Sequence, residues 1–275
     1  MFHYCLNTST IRGQELSLLE EIEIAANAGY DAIEPWINEI EAYQGHGGSL
    51  ADLKKRISDC GLSVESAVGF AEWIVDDDTQ RSKGLERARY EMDLVQQIGG
   101  KRIAAPAAGA VDVANINYLQ VAERYRTLLE IGDQIGVVPQ LEVWGFSKTL
   151  SRLGEAMLVA IESGHPQACI LPDVYHLYKG GSDYTGLNLV NGSAIKVFHV
   201  NDYPRLPRES IDDSDRVYPG DGVAPLCDIL KTLQAIGFDG HLSVELFNKD
   251  YWQQDPKAVV LAALEKTKEL VQQVS

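Results

Sequence analysis

The chain alternates between two patterns of hydrophobic and polar positions. In the first, apolar residues recur every three or four positions, as in "LERARYEMDLVQQI" and "YLQVAERYRTLLEIGDQI", which predicts amphipathic helices. In the second, a short run rich in β-branched and other apolar residues follows a glycine, as in "AGYDAIEPW" and "IGVVPQLEVW", which predicts strands. Repetition of helix, glycine and strand is typical of βα units, in which helices cover a parallel sheet.

Seven glycines mark the points where a predicted helix gives way to a predicted strand. A glycine just after a helix readily takes the left-handed backbone conformation that reverses the chain. The spacings between them are 32, 38, 37, 28, 28 and 45 residues, which suits βα units of roughly 30 residues or more. The seven are Gly29, Gly61, Gly99, Gly136, Gly164, Gly192 and Gly237.

The seven strands after these glycines and the N-terminal run "FHYCLN" make eight, and a last helix from about Pro256 to Val274 completes eight βα pairs. This count predicts a (β/α)8 TIM barrel, and because no linker divides the chain we expect a single domain over residues 1–275. A doubly wound open sheet is the alternative, but it usually has a glycine-rich phosphate loop after its first strand, and "LNTSTIRG" is not one. The segment "YPRLPRESIDDSDRVYPGDG" after the seventh strand is too long for a simple connection, which favours a functional loop.

Composition and charge narrow the range of functions. The net charge is −16, from 24 basic and 40 acidic residues, which disfavours a nucleic-acid partner because such proteins need a basic surface. No apolar run is long enough to span a membrane, so we expect no membrane partner. The four cysteines are far apart and form no CxxC pair, which predicts reduced thiols in a cytoplasmic protein.

Four polar residues interrupt apolar runs near the ends of four consecutive predicted strands, the fifth to the eighth. Catalytic residues of these barrels lie at the carboxyl ends of the strands, and neighbouring strands are only about 5 Å apart, so we expect the four side chains to converge. Each alone has an ordinary explanation, either a histidine satisfied within the core or a carboxylate that points outward. The four are Glu142 in "VVPQLEVWG", Asp173 in "CILPDVYH", His199 in "IKVFHVND" and Glu245 in "SVELF".

Three carboxylates brought together would repel one another and shift their pKa values unless a cation lay among them. A divalent metal ion supplies that charge, and it would explain why Glu245 stands in an otherwise apolar strand. Carboxylate oxygens with one imidazole suit Mn²⁺, Mg²⁺, Co²⁺ or Zn²⁺, whereas these ligand types exclude an all-sulfur structural zinc site. Four protein ligands would leave about two positions of an octahedral sphere for a substrate carbonyl and its neighbouring hydroxyl.

At these residues the chain resembles the xylose isomerase-like superfamily of TIM-barrel sugar isomerases and epimerases, also called AP endonuclease family 2. Within that superfamily it is most similar to the inosose (2-keto-myo-inositol) isomerases, through "CLNTST", "LEVWG", "LPDVYH", "FHVND", "DRVYPGDG" and "SVELFNKDYW". The resemblance runs over nearly the whole chain. The proline in "LPDVYH" departs from the commoner pattern of two apolar residues before the aspartate.

The resemblance implies an enzyme that moves a proton next to a carbonyl group, with one bound divalent metal ion. Proton removal would give a cis-enediol(ate), and its return to the same or the neighbouring carbon would make the enzyme an epimerase or an isomerase of a ketose or inosose. It further implies that Glu142, Asp173, His199 and Glu245 bind the metal, that Glu142 and Glu245 are also the acid and base, and that His176 and Arg216 contact the substrate.

Two of these assignments have ordinary alternatives. His176, three residues after Asp173, is either at the site or on the surface of a βα loop. Arg216, in the long loop after the seventh strand, either orients the substrate or forms a loop salt bridge with Asp213 or Asp215.

Several aromatic residues and one further carboxylate are predicted near the strand ends. Such rings can pack against the apolar faces of a sugar, although roughly half of them would be plain packing. Glu34 in "IEPW" either binds a substrate hydroxyl or pairs with a cation. The aromatic residues are Trp36, Phe70, Trp73, Trp144 and Phe247.

Three other functions are alternatives to the isomerase. A dehydratase of the inosose or 3-dehydroshikimate type would use the same site but release one water. A DNA-repair nuclease of the endonuclease IV type shares the barrel, but it needs a zinc cluster with many histidines and a basic face, whereas this chain has six histidines and a charge of −16. A non-catalytic sugar-binding protein would not need two opposed glutamates. The sequence leaves open whether the chain forms a homo-oligomer.

Overall fold

Eight parallel strands alternate with helices and close into a barrel, described for residues 1–274 in a computed structural model. The strands are β1 Phe2–Asn7, β2 Ala32–Glu34, β3 Ser63–Val64, β4 Arg102–Ala105, β5 Val138–Glu142, β6 Ile170–Leu171, β7 Val197–Val200 and β8 Gly240–Val244. They pair in the orders β3-β2-β1-β8-β7 and β4-β5-β6. The predicted (β/α)8 architecture and all eight predicted strands are confirmed.

Backbone hydrogen bonds just beyond the strand ends join the two sets of strands into a ring. After β3, the N–H of Ala67 donates to the carbonyl of Arg102 at 3.1 Å, and the N–H of Ala104 donates back to Ala67 at 2.9 Å. Between β6 and β7, the N–H of His199 donates to the carbonyl of Pro172 at 3.0 Å. Proline has no N–H to donate, so this strand pairs through its carbonyl at that position.

Nine α-helices cover the outside of the barrel within residues 1–274, one more than predicted, because a short additional helix precedes the third. None of them combines the length and the apolarity that crossing a membrane requires. The helices are α1 Leu18–Ala28, α2 Ile37–Gly45, α3 Leu50–Asp59, α4 Asp78–Gln97, α5 Tyr118–Ile135, α6 Leu153–Glu162, α7 Val174–Gly180, α8 Leu226–Ala235 and α9 Pro256–Val274.

Gly192 differs from the other six glycines of the repeat, all of which have positive φ. It does not end a helix in the left-handed conformation, so that expectation was wrong for this position. It begins a short 3₁₀ turn, and a Cβ added there would lie 2.4 Å from the backbone of Gly237. The glycine is needed for close approach of two turns and not for its backbone angles.

The strand register brings the polar residues to one edge of the barrel. Asn7 at the end of β1 pairs with Glu34 at the end of β2. Asp173 after β6 forms a bridge with His199 in β7. Glu245 directly follows β8, and its N–H lies 3.4 Å from the carbonyl of Val200. Convergence of side chains from different strands therefore follows from parallel pairing alone.

One buried charge lies outside this edge and has consequences for stability. Glu21 of α1 is only 2% exposed, and its Oε2 has no hydrogen-bond partner among the described residues. Burial, with a smaller contribution from the charge of Glu39, raises the pKa of Glu21 to about 9. The folded protein therefore holds a proton on this carboxyl at pH values where the unfolded chain releases it.

Replacing this carboxyl should stabilise the protein at neutral and alkaline pH. Because the pKa of Glu21 is raised in the folded state, the free energy of unfolding falls as pH rises from about 4.5 to 9, by up to about 1.4 kcal/mol per pH unit. Glutamine does not titrate, so Glu21→Gln should not show this decrease. We expect a gain of several kcal/mol, at most about 5 kcal/mol, in the free energy of unfolding at pH 8 and almost none at pH 4.5. Urea unfolding at both pH values measures it, with exposed Glu23→Gln as the control. An equal effect of Glu21→Gln at both pH values would contradict the assignment.

Candidate active site

The carboxyl ends of the strands surround a cavity of about 230 Å³. Pockets for drug-sized ligands are about 300–1,000 Å³, so this cavity suits a smaller molecule. A larger groove of about 710 Å³ follows the outside of α6, but none of its polar side chains is buried, so the smaller cavity is the candidate site. The polar residues of its lining are Glu142, His176, Asp213, Arg216 and Glu245.

Glu142, His199 and Glu245 form a compact group at the base of this cavity. One ligand atom from each lies within 4.8 Å of the others, and all three side chains are buried. Oε2 of Glu142 and Nδ1 of His199 have no hydrogen-bond partner among the described residues. Buried polar atoms of native proteins are nearly always bonded, so these two atoms indicate a ligand.

Asp173 lies beside this group and not within it. Its Oδ1 accepts the N–H of His176 at 2.6 Å and caps α7. Its Oδ2 accepts from Nδ2 of Asn201 at 2.7 Å and from Arg216 at 3.2 Å, and it lies 4.0 Å from Nδ1 of His199. Both carboxylate oxygens are thus already bonded, and the role of Asp173 as a metal ligand stays a prediction.

Arg216 is fully buried and is the counter-charge of three carboxylates. Its Nη1 donates to Glu245 at 2.7 Å and to Asp173 at 3.2 Å. Its Nη2 donates to Asp213 and, at 3.1 Å, to Nε2 of His176. The loop salt bridge with Asp213, which was the alternative explanation for Arg216, is present. The same guanidinium also bonds to the site residues Asp173 and Glu245. The positive charge beside Glu245 comes in part from this side chain.

The loop that carries Arg216 is anchored at its base by Asp202, which is 1% exposed. The carboxylate of Asp202 accepts four backbone N–H groups, at distances between 2.8 and 3.1 Å. Its own backbone pairs with Val217, the residue after Arg216. The four N–H groups belong to Tyr203, Gly220, Gly222 and Ala224, which lie at the two ends of the loop.

The two glutamates have unlike electrostatic environments. Burial and then the charge of Glu245 raise the pKa of Glu142 to about 8. Burial acts to raise the pKa of Glu245 as well, but His199 and Arg216 hold it well below its usual value. For His199, burial acts to lower the pKa, and the charges of Glu245 and Glu34 raise it well above the usual value. One carboxyl therefore favours its protonated form and the other its ionised form.

His176 is a neutral hydrogen-bonding group at the cavity wall. Burial and then the charge of Arg216 lower its pKa. Its Nε2 accepts from Arg216, so the ring proton resides on Nδ1, which has no partner among the described residues. The alternative of a surface histidine is wrong, because the side chain is only 3% exposed.

Aromatic rings form the remainder of the wall. Trp36 lies 5.2 Å from Phe70 and 6.0 Å from Phe247 between ring centroids. Trp144 lies 5.8 Å from Phe70 and 5.1 Å from Phe146. These rings can pack against the C–H faces of a small ring-shaped or linear polyol and exclude water. Phe146 was not predicted, although its place two residues after Trp144 in the same loop is a usable signal.

Two residues predicted near the site, Trp73 for the wall and Glu34 for a substrate hydroxyl or a cation, do not line the cavity. Trp73 is 1% exposed and donates to the carbonyl of Pro106 at 2.9 Å, so its assignment to the wall was wrong and it is a core residue. Glu34 is fully buried below the cavity, where its carboxylate meets Nε2 of His199 at 3.0 Å. The sequence reading also missed Asn7, which contacts both Glu34 and Glu245, although it ends β1 as the others end their strands.

Comparison with known proteins gives a consistent result. The family model described as "Xylose isomerase-like TIM barrel" matches residues 22–270. An inosose isomerase from Bacillus velezensis is 25% identical over 272 residues, which cover 97% of this chain and 96% of that protein. A 3-dehydroshikimate dehydratase from Pseudomonas putida is 23% identical over 86% of this chain, which spans 37% of that protein's length. The crystal structure of the IolI protein with a bound zinc atom superposes with a TM-score of 0.91 at 22% identity, covering 99% of each chain.

Removing the hydrogen bonds to Asp202 should make the loop after β7 more mobile while the barrel stays folded. Asp202→Asn replaces an acceptor of four N–H groups by a side chain with only one acceptor oxygen, and we expect a loss of about 1–3 kcal/mol in the free energy of unfolding. Amide hydrogen exchange over residues 203–222 should become faster, while exchange in the strands stays unchanged. Asp221→Asn, at an exposed position of the same loop, is the matched control. Unaltered exchange in the loop of Asp202→Asn would show that other contacts hold it.

Proposed function

The chain belongs to the xylose isomerase-like TIM barrel family, and from this premise we propose that it is a divalent-metal-dependent isomerase or epimerase of a small ketose or inosose. The observation that carries the proposal is the buried group of Glu142, His199 and Glu245, with two ligand atoms that no other described side chain satisfies. The relatives include proteins named as inosose isomerase and L-ribulose 3-epimerase.

The residues present fit a divalent ion. Oxygen atoms of Glu142 and Glu245 and Nδ1 of His199 lie close enough to share one cation, and such a mixed set suits Mn²⁺, Mg²⁺, Co²⁺ or Zn²⁺. Asp173, adjacent to His199, is the proposed fourth ligand. The bound ion would polarise the substrate carbonyl and stabilise negative charge that develops on its oxygen.

Glu142 and Glu245 are proposed to transfer the proton. Both carboxyl groups line the cavity, and they come from strands three places apart in the barrel, so a substrate bound between them would meet both. One removes the proton next to the carbonyl, giving a cis-enediol(ate), and the other returns a proton to the same or the neighbouring carbon. Their unlike surroundings favour a division of these roles, as in other enzymes with paired carboxyl groups.

His176 and Arg216 are proposed to hold the substrate oxygens. Nδ1 of His176 and Nε of Arg216 are buried donors without partners among residues 1–274. Hydrogen bonds from preorganised donors to an oxygen that gains negative charge lower the barrier to its formation. Trp36 and Trp144 would keep water away from the same face of the substrate.

A dehydratase of the inosose or 3-dehydroshikimate type is the second candidate. It is favoured by the dehydratase relatives, which match 86% of this chain in one case and 93% in another. The same proton removal would then be followed by loss of a hydroxyl group as water, with the protonated glutamate as the acid. The two candidates differ in the mass of the product.

Incubation of the metal-loaded protein with a panel of ketoses, inososes and 3-dehydroshikimate in D₂O should identify the reaction. We expect at least one ketose or inosose to exchange its proton next to the carbonyl for deuterium and to give a product of unchanged carbon skeleton. NMR measures both the exchange and the product. A product lighter by one water in mass spectrometry would select the dehydratase. Absence of exchange and conversion across the panel would overturn the proposal.

The two glutamates should fail in different ways when each is replaced by glutamine. The variant that lacks the first base should neither turn over nor exchange, whereas the other should still exchange the substrate proton with D₂O but make product about 10²- to 10⁴-fold more slowly. NMR of Glu142→Gln and Glu245→Gln with the active substrate measures both properties.

Metal content has to be determined for both variants, because loss of the ion would mimic loss of the base. Transfer of deuterium from labelled substrate into product by the wild type, with no exchange with solvent, would indicate a hydride shift. That result would remove the mechanism with two carboxyl groups.

A further inference from the structure

Glu34 is the most completely enclosed carboxylate near the cavity, and it does not line it. It ends β2, is 0% exposed, and contacts His199 of the group formed by Glu142, His199 and Glu245. A carboxylate is not buried in this way without a specific set of donors, because desolvation of the charge is otherwise too costly. The donors that meet it identify what it does.

Three donors converge on one oxygen of Glu34. Its Oε2 lies 3.0 Å from Nε2 of His199, 2.7 Å from Oγ of Ser243 and 3.1 Å from Nδ2 of Asn7. These side chains come from β7, β8 and β1, so the contact joins four strands of the barrel. Oε2 is thus fixed by side chains of three neighbouring strands, whereas Oε1 has no hydrogen-bond partner among the described residues.

The orientation of Asn7 is determined by its own partners. Its Oδ1 accepts from the N–H of Ser9 at 3.0 Å and from Nε1–H of Trp36 at 3.1 Å, and both of these groups can only donate. Its amide nitrogen must therefore face Glu34 and also Oε1 of Glu245, at 3.2 Å. Asn7 thereby fixes the position of Glu34 relative to Glu245.

The contact with Glu34 decides which nitrogen of His199 can bind a ligand. A carboxylate only accepts, so Nε2 of His199 must carry the proton in that bond. The other nitrogen, Nδ1, lies 3.3 Å from Oε2 of Glu245, a residue of the cavity lining, and has no hydrogen bond among the described residues. In the neutral ring this nitrogen has a free lone pair.

We propose that Glu34 is the positioning residue of the metal centre, which holds His199 with Nε2–H towards Glu34 and with Nδ1 as the ligand atom. The inference rests on the proposed function, since it concerns the residue that supports a proposed ligand. Carboxylates that accept from a ligating imidazole fix its ring and raise its basicity, and their loss typically weakens metal binding by about 10- to 100-fold.

Co²⁺ titration of Glu34→Gln tests this role without an assay of activity. Glutamine keeps the shape but removes the charge, so we expect the dissociation constant for Co²⁺, measured by competition with a chelator, to rise about 10-fold or more. Glu65→Gln is the matched control, because Glu65 is also buried in the barrel but bonds to Lys101 and Ser63, near the amino ends of the strands. Its affinity for Co²⁺ should equal that of the wild type.

Equal affinity of folded Glu34→Gln and wild type would overturn the inference and leave the proposed function intact. A wild type that takes up no Co²⁺ would overturn both. If Glu34→Gln does not fold, ¹⁵N NMR of the Zn²⁺-loaded wild type decides, with His199→Asn to assign the signals. A proton on Nε2 and a metal-shifted Nδ1 would support the inference, and the reverse pattern would end it.

Discussion

The carboxyl end of the barrel depends on the compensation of buried negative charge. Four carboxyl groups meet there with exposures of at most 3%, and each would cost several kcal/mol if its charge were left unpaired. Among residues 1–274, Arg216 bonds to two of them, Asp173 and Glu245, and His199, whose pKa is raised, contacts Glu34 and Glu245, so the acidic groups outnumber the basic ones. The excess of negative charge is the electrostatic condition that favours a divalent ion. The four are Glu34, Glu142, Asp173 and Glu245.

This compensation ties the long loop after β7 to the barrel. The loop that carries Arg216 is held at the strand ends by Asp202. The carboxylate of Asp202 accepts backbone N–H groups from the loop, and its backbone pairs with Val217, the residue after Arg216. The loop in turn brings Asp213 to the cavity wall, where it shares the guanidinium. A surface segment has thus become part of the interior, and its conformation and the charge state of the site are coupled.

The parts of the structure that the sequence predicted are those governed by local pattern. Helix periodicity and glycine after most of the helices predicted eight strands. Of the four polar residues predicted to converge, Glu142, His199 and Glu245 form one compact group, and Asp173 lies beside it. The errors concern direction and three-dimensional contact. Trp73 is as aromatic as Trp36, and only the fold shows that it points into the core. Gly192 follows the spacing of the repeat, but a glycine is needed there because the turn at Gly237 leaves no room for a Cβ.

The position of Glu34 shows the same limit at the site itself. A glutamate at the end of β2 looks like a cavity residue, because parallel strands end at one edge. Whether it faces a ligand or a neighbouring side chain depends on which donors the adjacent strands place beside it, here His199, Ser243 and Asn7, and those contacts are not visible in the local pattern.

The groups proposed for proton transfer and several of the rings that line the cavity lie in different parts of the fold. The groups proposed for proton transfer stand on or directly after strands, whose register the whole barrel enforces, so a reaction class can be inferred from sequence. The rings of the cavity wall that are most exposed, Phe70 and Phe146 at 42% and 44%, lie in loops, which tolerate change better than the strands do. Relatives named for isomerisation and for dehydration both match most of this chain, as is expected where one fold carries more than one reaction.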